Sequence, residues 1–195
     1  MPLEATARHA CVGAVPCAQR DIVRLRLRAV SFVEAIRTLN ALKRRRVIRD
    51  YVLIGAVAST VYMEPMFTED LDVIVLVDSD SEYMQVFQKV TQASDKVEGM
   101  HQVISGVPVQ MFPTTINLLY RDTLDYARVA RIGNTRVKVA SPEHLILLCL
   151  EAFRPKDRYR ISQLFASADT RKLHQLMRRF DDEKGTLAQR LKQIC

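Results

Sequence analysis

Residues 51–77 read "YVLIGAVASTVYMEPMFTEDLDVIVLV". Tyr51 to Ile54 is a short run that favours strand and ends at Gly55. Small apolar residues from Ala56 to Tyr62 then predict a helix, which Pro65 ends. Leu71 to Val77 is almost wholly apolar and predicts a strand buried on both faces. Alternate residues of a strand share a face, so Asp70 and Asp72 point one way, ahead of Ile74 and Leu76. Leu71, Val73, Val75 and Val77 point the other way. Two carboxylates roughly 6–7 Å apart along a strand repel where water is scarce. They share a cation more easily than they sit bare, and oxygen-only ligands favour a hard ion such as Mg²⁺. The same acids, with Thr68 and Glu69, also fit a solvated turn at a strand edge. The glycine upstream adds weight to the ligand reading. Gly55 lets backbone approach a ligand, and the helix N-terminus after it would offer free N–H groups to phosphate.

Helical spacing runs from Asp21 through Ile22, Leu25, Ala29, Phe32, Val33 and Ile36, with a break or second start at Ser31. Asp78, Ser79 and Asp80 stand where a cap opens a helix over about 81–94. "HQVISGVPVQMFP" (101–113) predicts two extended segments turning at Gly106. Residues 116–128 look helical, and "ARIGNTRVKVA" (130–140) predicts a hairpin around Gly133-Asn134. In "SPEHLILLCLEAF" (141–153), Ser141 is an N-cap and Pro142 suits the first helical position. Pro155 is expected to end that helix, with more helices at 157–167, 170–180 and 183–194. The expected fold is α/β (α+β): a small mixed sheet flanked by helices. Residues 1–20 are a poorly ordered leader, 21–140 a core with a basic N-terminal helix, and 141–195 a helical cap.

Charge and cysteines bound the setting. Net charge is +7, yet residues 1–49 hold 11 Lys/Arg against 3 Asp/Glu, while 50–195 hold 18 against 19. Basicity is local, and Lys43 to Arg46 with Arg24, Arg26, Arg28 and Arg49 could meet RNA or simply line a solvated helix. Cys11, Cys17, Cys149 and Cys195 form no C-x-x-C pair. With no run of 18 apolar residues and no secretion-type start, a cytoplasmic chain with reduced thiols and no membrane contact is expected. His144 reads as a partly exposed helical histidine, and His9, His101 and His174 as ordinary.

The block "LIGAVASTVYMEPMFTEDLDVIVLV" resembles the signature of the polymerase-β-like nucleotidyltransferase superfamily: strand, glycine turn, helix, then D-x-D on a second strand. Within it the chain is similar to the nucleotidyltransferase-type toxins of type IV (abortive-infection) toxin–antitoxin systems. Thr68, Asp70 and Asp72 match their R-x-T-x-D-hydrophobic-D, with Met66 in the arginine place. "VASPEHLILLCLEAFRPKDRYRI" (139–161) resembles a second family block through Ser141, Pro142, Glu143, Leu150, Arg154, Lys156 and Asp157.

The resemblance implies the nucleotidyltransferase fold and a two-metal transfer of NMP from an NTP to a hydroxyl. The acceptor would be RNA (tRNA among them), protein or a small molecule, with a cognate antitoxin as a further partner. It implies Asp70 and Asp72 as ligands of Mg²⁺ or Mn²⁺. Gly55, Ala56, Thr68, Arg154 and Lys156 would face the nucleotide, with Asp157 orienting a cation. Three positions depart from the family: Gln110 replaces a third, catalytic carboxylate, Cys149 a common lysine, and Ala56 a second glycine. Glutamine supplies an oxygen but takes no proton. A degenerate domain that binds nucleotide or a partner, or an RNA-binding module, therefore stands as the alternative.

Overall fold

The computed structural model describes residues 17–194, with side chains from residue 31 onward. A long helix, α1 (Cys17–Arg44), comes first among the described residues and runs through Ser31 without a break. It takes in residues 17–20, assigned above to the leader; residues 1–16 lie outside the described residues. Its buried stripe of Ala35, Ile36, Leu39 and Leu42 faces the core. Asn40 joins it to two strands, donating to the Arg136 carbonyl at 3.0 Å and accepting from the Tyr51 hydroxyl at 2.9 Å.

The sheet follows in two halves. β1 (Tyr51–Leu53), a five-residue helix α2 (Gly55–Ser59) and β2 (Leu71–Val75) come first. After α3 (Asp80–Thr91) come β3 (Lys96–Glu98), β4 (His101–Ile104) and β5 (Val107–Pro113). α4 (Leu118–Asp125) leads to the hairpin β6 (Arg128–Ile132) and β7 (Thr135–Val139). The seven strands lie in the order β3-β4-β5-β2-β1-β7-β6. β2 with β5 and β1 with β7 are parallel; the other neighbours are antiparallel. This is the mixed sheet the alternation of strand and helix predicted. β3, missing from the sequence expectation, is a wholly exposed edge strand with no apolar period to mark it. Asp78 and Asp80 do not cap α3. Ser79 does, accepting from the Glu82 N–H, while Asp78 pairs with Arg49 and Arg121.

Four α-helices follow among the described residues: α5 (Pro142–Ala152), α6 (Pro155–Leu164), α7 (Thr170–Phe180) and α8 (Thr186–Lys192). Pro155 starts α6 and does not end α5. The stop is Phe153, whose left-handed backbone (φ 49°) closes the last turn of α5. Buried residues on nearly every side of α5 make it a central core helix. No helix among the described residues is long and apolar enough to cross a membrane.

His144 is fully buried, a correction to the partly exposed residue expected. Its Nε2 lies 3.0 Å from Asp122 Oδ2 on α4, and Asp122 also accepts from Arg179 of α7 at 2.6 Å. Its Nδ1 lies 2.8 Å from the Ser141 hydroxyl, which lies 2.5 Å from Glu143. With Nε2–H donating to Asp122, Nδ1 and Glu143 compete for one hydroxyl proton. The array resembles a Ser-His-Asp triad, but Ser141 and His144 are both 0% exposed, so no substrate reaches them. It ties α4, α5 and α7 together instead.

Burial, above all other influences, holds the His144 imidazole below its ordinary 6.5. The unfolded chain therefore takes up this proton first, and stability present above about pH 6.5 is lost as pH falls. We expect denaturant midpoints to fall between pH 7 and pH 5, and to fall less in His144→Gln. At pH 7 that variant should already be weaker by about 1–3 kcal/mol, because it leaves buried polar partners unpaired.

Candidate active site

Asp72 sits inside β2, half-buried, and its main chain accepts from Ile54 N–H at 3.0 Å, where β1 ends. Gly55 follows with φ +67°, a region that favours glycine. A Cβ on Gly55 would lie 2.2 Å from Asp72 Oδ2. The glycine is therefore required by contact with the carboxylate. The N-terminus of α2, where the sequence suggested a phosphate contact, opens a helix of five residues with no side-chain cap. Ala56 is buried and lies off the cavity wall.

Asp70 lies just before β2 and shares a cavity of about 290 Å³ with Asp72, Gly55 and Gln110. The two carboxylates thus face one space, as their spacing predicted. Thr68 holds the first of them, donating from its hydroxyl to Asp70 Oδ1 at 2.6 Å. Burial first, and repulsion from Asp70 second, push the Asp72 carboxyl up to about 6; Arg154, Arg160 and Lys156 oppose them. Asp72 is therefore under-compensated by the protein's own cations.

Gln110 is the direct partner of Asp72 across the parallel β2–β5 pair, and His101 is the partner of Gln110 across β5–β4. Cross-strand partners share a face. Gln110 therefore stands beside Asp72. No cluster of three His, Cys, Asp or Glu residues suited to a metal occurs among the described residues. Two carboxylates and one amide oxygen are nonetheless oxygen donors that suit a hard divalent ion completed by phosphate oxygens.

Cations arrive from α6. Arg154 caps that helix and is clamped by Asp157, whose Oδ2 accepts from its Nε at 2.7 Å and its main-chain N–H at 3.1 Å. Asp157 is fully buried and also accepts from Arg160 Nη1 at 3.4 Å. Both arginines and Asp157 line the cavity; Lys156 is exposed and lines the neighbouring one. Cys149 is buried on the wall, and burial pushes its thiol up to about 11. Arg160 Nη1 lies 3.7 Å from the Cys149 sulfur. A guanidinium from the next helix thus lies beside the Cys149 thiol. Sequence inspection missed Arg160, together with Phe112 and Tyr120, a tilted aromatic pair that also lines the cavity. Arg160 lies six residues past the matched Arg154, within the block already quoted, and only its burial marks it.

The basic stretch lies elsewhere. Arg44, Arg45 and Arg46 are exposed where the chain enters β1, at the end away from Gly55. Lys43 pairs with Asp50 and Arg49 with Asp78 and Glu82. The side chains of Arg24, Arg26 and Arg28 lie outside the described ones.

No protein-family model matches the chain, and no curated protein matches its sequence. Solved structures do resemble it. An antigenic nucleotidyltransferase-like protein from Paracoccidioides brasiliensis superposes with a TM-score of 0.52 at 16% identity, over 82% of this chain and 92% of that one. ANT(2″)-Ia, in a structure that holds adenylyl-2″-tobramycin, superposes with a TM-score of 0.53 at 12% identity, over 85% and 99%. The mixed sheet, its flanking helices and these neighbours define a nucleotidyltransferase fold, the class the two sequence blocks implied. Likeness at such identities reaches the fold and stops there.

Two outcomes follow from the Gly55–Asp72 contact. Gly55→Ala should lower stability by about 1–3 kcal/mol, through strain at positive φ and collision with the carboxylate. Asp72→Asn should do the reverse at neutral pH. The folded carboxyl titrates near 6 against 3.8 as its ordinary value, so its stabilising proton is lost as pH rises through 6. Melting curves should show Asp72→Asn above wild type by about 2–6 °C at pH 7.5 without divalent ions, and level with it near pH 4.

Proposed function

We propose that the chain is a nucleotidyltransferase that moves NMP from an NTP to a hydroxyl, with Mg²⁺ or Mn²⁺ held by Asp70 and Asp72. The observation that carries this is the pair of half-buried carboxylates facing one cavity, Asp72 against the bare Cα of Gly55, with two arginines lining the same space. A bound divalent ion would offset the repulsion that raises Asp72 and polarise the phosphates. The chain's own residues supply the rest. Thr68 fixes the angle of Asp70, and Gly55 leaves room for Asp72. Asp157 holds the Arg154 and Arg160 forks, which suit phosphate oxygens. Phe112 and Tyr120 give the cavity an apolar wall for a base or sugar. Attack by the acceptor oxygen forms a P–O bond at the α-phosphorus and breaks the bond to the bridging oxygen of pyrophosphate, which leaves, while the hydroxyl proton passes to solvent water. Gln110 can accept a hydrogen bond there but cannot take the hydroxyl proton.

ANT(2″)-Ia supports a small-molecule acceptor by its bound adenylyl-2″-tobramycin. RNA or protein acceptors, and a place in a toxin–antitoxin pair with a cognate antitoxin, rest on the resemblance of residues 53–77 and 139–161. Gln110 beside Asp72 favours a second reading, a domain that binds nucleotide without transferring it.

A thermal-shift series decides between binding and its absence. Each of the four NTPs at 5 mM with Mg²⁺ should be tested, and one should raise the melting temperature. A ligand at about 100 times its Kd adds about 2.7 kcal/mol of stability. Asp70→Asn combined with Asp72→Asn should remove the shift. No shift with any NTP, or one that survives the double variant, overturns the assignment. Label transferred from the bound [α-³²P]NTP, and lost in that variant, would separate catalysis from binding alone.

A further inference from the structure

A second cavity, of about 640 Å³, adjoins the first. Its walls are the 66–70 loop, Glu98 and His101 of the β3–β4 hairpin, Pro108, Lys156 and Arg160. Asp70 and Arg160 are the two residues that line both spaces. Arg160 is 4% exposed. Its Nη1 is engaged by Asp157 and Cys149, while its Nε–H, also buried, has no partner. An unpaired donor on a buried guanidinium is costly, so its persistence at a cavity seam points to an anionic ligand.

Resting on the nucleotidyl-transfer reading, we propose that Arg160 binds the phosphoryl group being transferred, at the seam between a nucleotide cavity and an acceptor cavity. The nucleotide occupies the space lined by Phe112, Tyr120 and Arg154. The acceptor, a hydroxyl compound, occupies the space lined by Pro108, His101 and Glu98. An in-line transfer carries phosphorus from one to the other, so the α-phosphate must lie where the two meet. Asp157 and Cys149 engage Nη1, which leaves the buried Nε–H as the donor still to be paired. Arg154, 56% exposed at the cavity mouth, is left for the outer phosphates.

The test uses a phosphate ladder of the NTP that gives the largest melting shift: nucleoside, mono-, di- and triphosphate, each with Mg²⁺. Dissociation constants are measured for wild type, Arg160→Lys and Arg160→Met. A contact to the α-phosphate predicts that Arg160→Met weakens mono-, di- and triphosphate by the same factor, about ten- to hundredfold, and leaves the nucleoside unchanged. Arg160→Lys should fall between. A loss confined to the triphosphate, or no loss, overturns the assignment. No nucleotide binding by wild type overturns the transferase reading itself. If Arg160→Met fails to fold, the arginine Nε–H NMR spectrum of wild type decides, with the Arg160 signal identified by its absence in Arg160→Lys. That signal should move on adding the monophosphate and stay fixed with the nucleoside; a signal indifferent to the monophosphate overturns the proposal.

Discussion

The site turns on a single contact, the Asp72 carboxylate lying against the Cα of Gly55. No other residue fits there, because a Cβ would lie 2.2 Å from the carboxylate oxygen. The contact fixes how β1 ends, since Ile54 must pair with the Asp72 main chain while Gly55 turns away at positive φ. It also removes water from one side of the carboxylate, which is the first cause of its raised pKa. One steric fact thus shapes the backbone, sets the carboxyl's charge state and opens the cavity.

Another part of the cavity wall obeys a similar economy. Asp157 is fully buried and would be a heavy burden alone, but it closes the first turn of α6 and gathers two arginines. Buried carboxylates persist when their lone pairs are filled by charged donors. Arg160 then takes up the space beside Cys149. The neighbouring helix thus brings a charge to the buried thiol of α5. Gln110 is a neutral residue on the same cavity. It sits beside Asp72 and brings an oxygen without a proton-accepting charge.

Stability and function separate cleanly in this molecule. The buried network of Asp122, Ser141, Glu143 and His144 has the residue types of a hydrolase site, yet it is closed to solvent and links three helices. In the half-buried Asp70–Asp72 pair, Asp72 has poorer compensation and an open face. Charge left uncompensated beside a cavity is the usual mark of a binding centre, whereas fully partnered buried charge marks a structural one.

Local chemistry was legible in the sequence. Apolar alternation and glycine turns placed six of the seven strands, and Ser141-Pro142 placed the start of α5, because caps and periods act over a few residues. The shared face of Asp70 and Asp72 was legible too, since a strand's period is fixed by its backbone. What the sequence could not give were partners distant along the chain. That Gln110 lies beside Asp72, that His144 is buried, and that Arg160 reaches Cys149 depend on register and packing among elements far apart. β3 carries no apolar face to announce it, and α1 runs past Ser31 unbroken. Short-range sterics and hydrogen bonds wrote the elements and the acidic pair into the sequence. Long-range packing alone decided which charges would meet, because burial and register exist only once the chain has closed on itself.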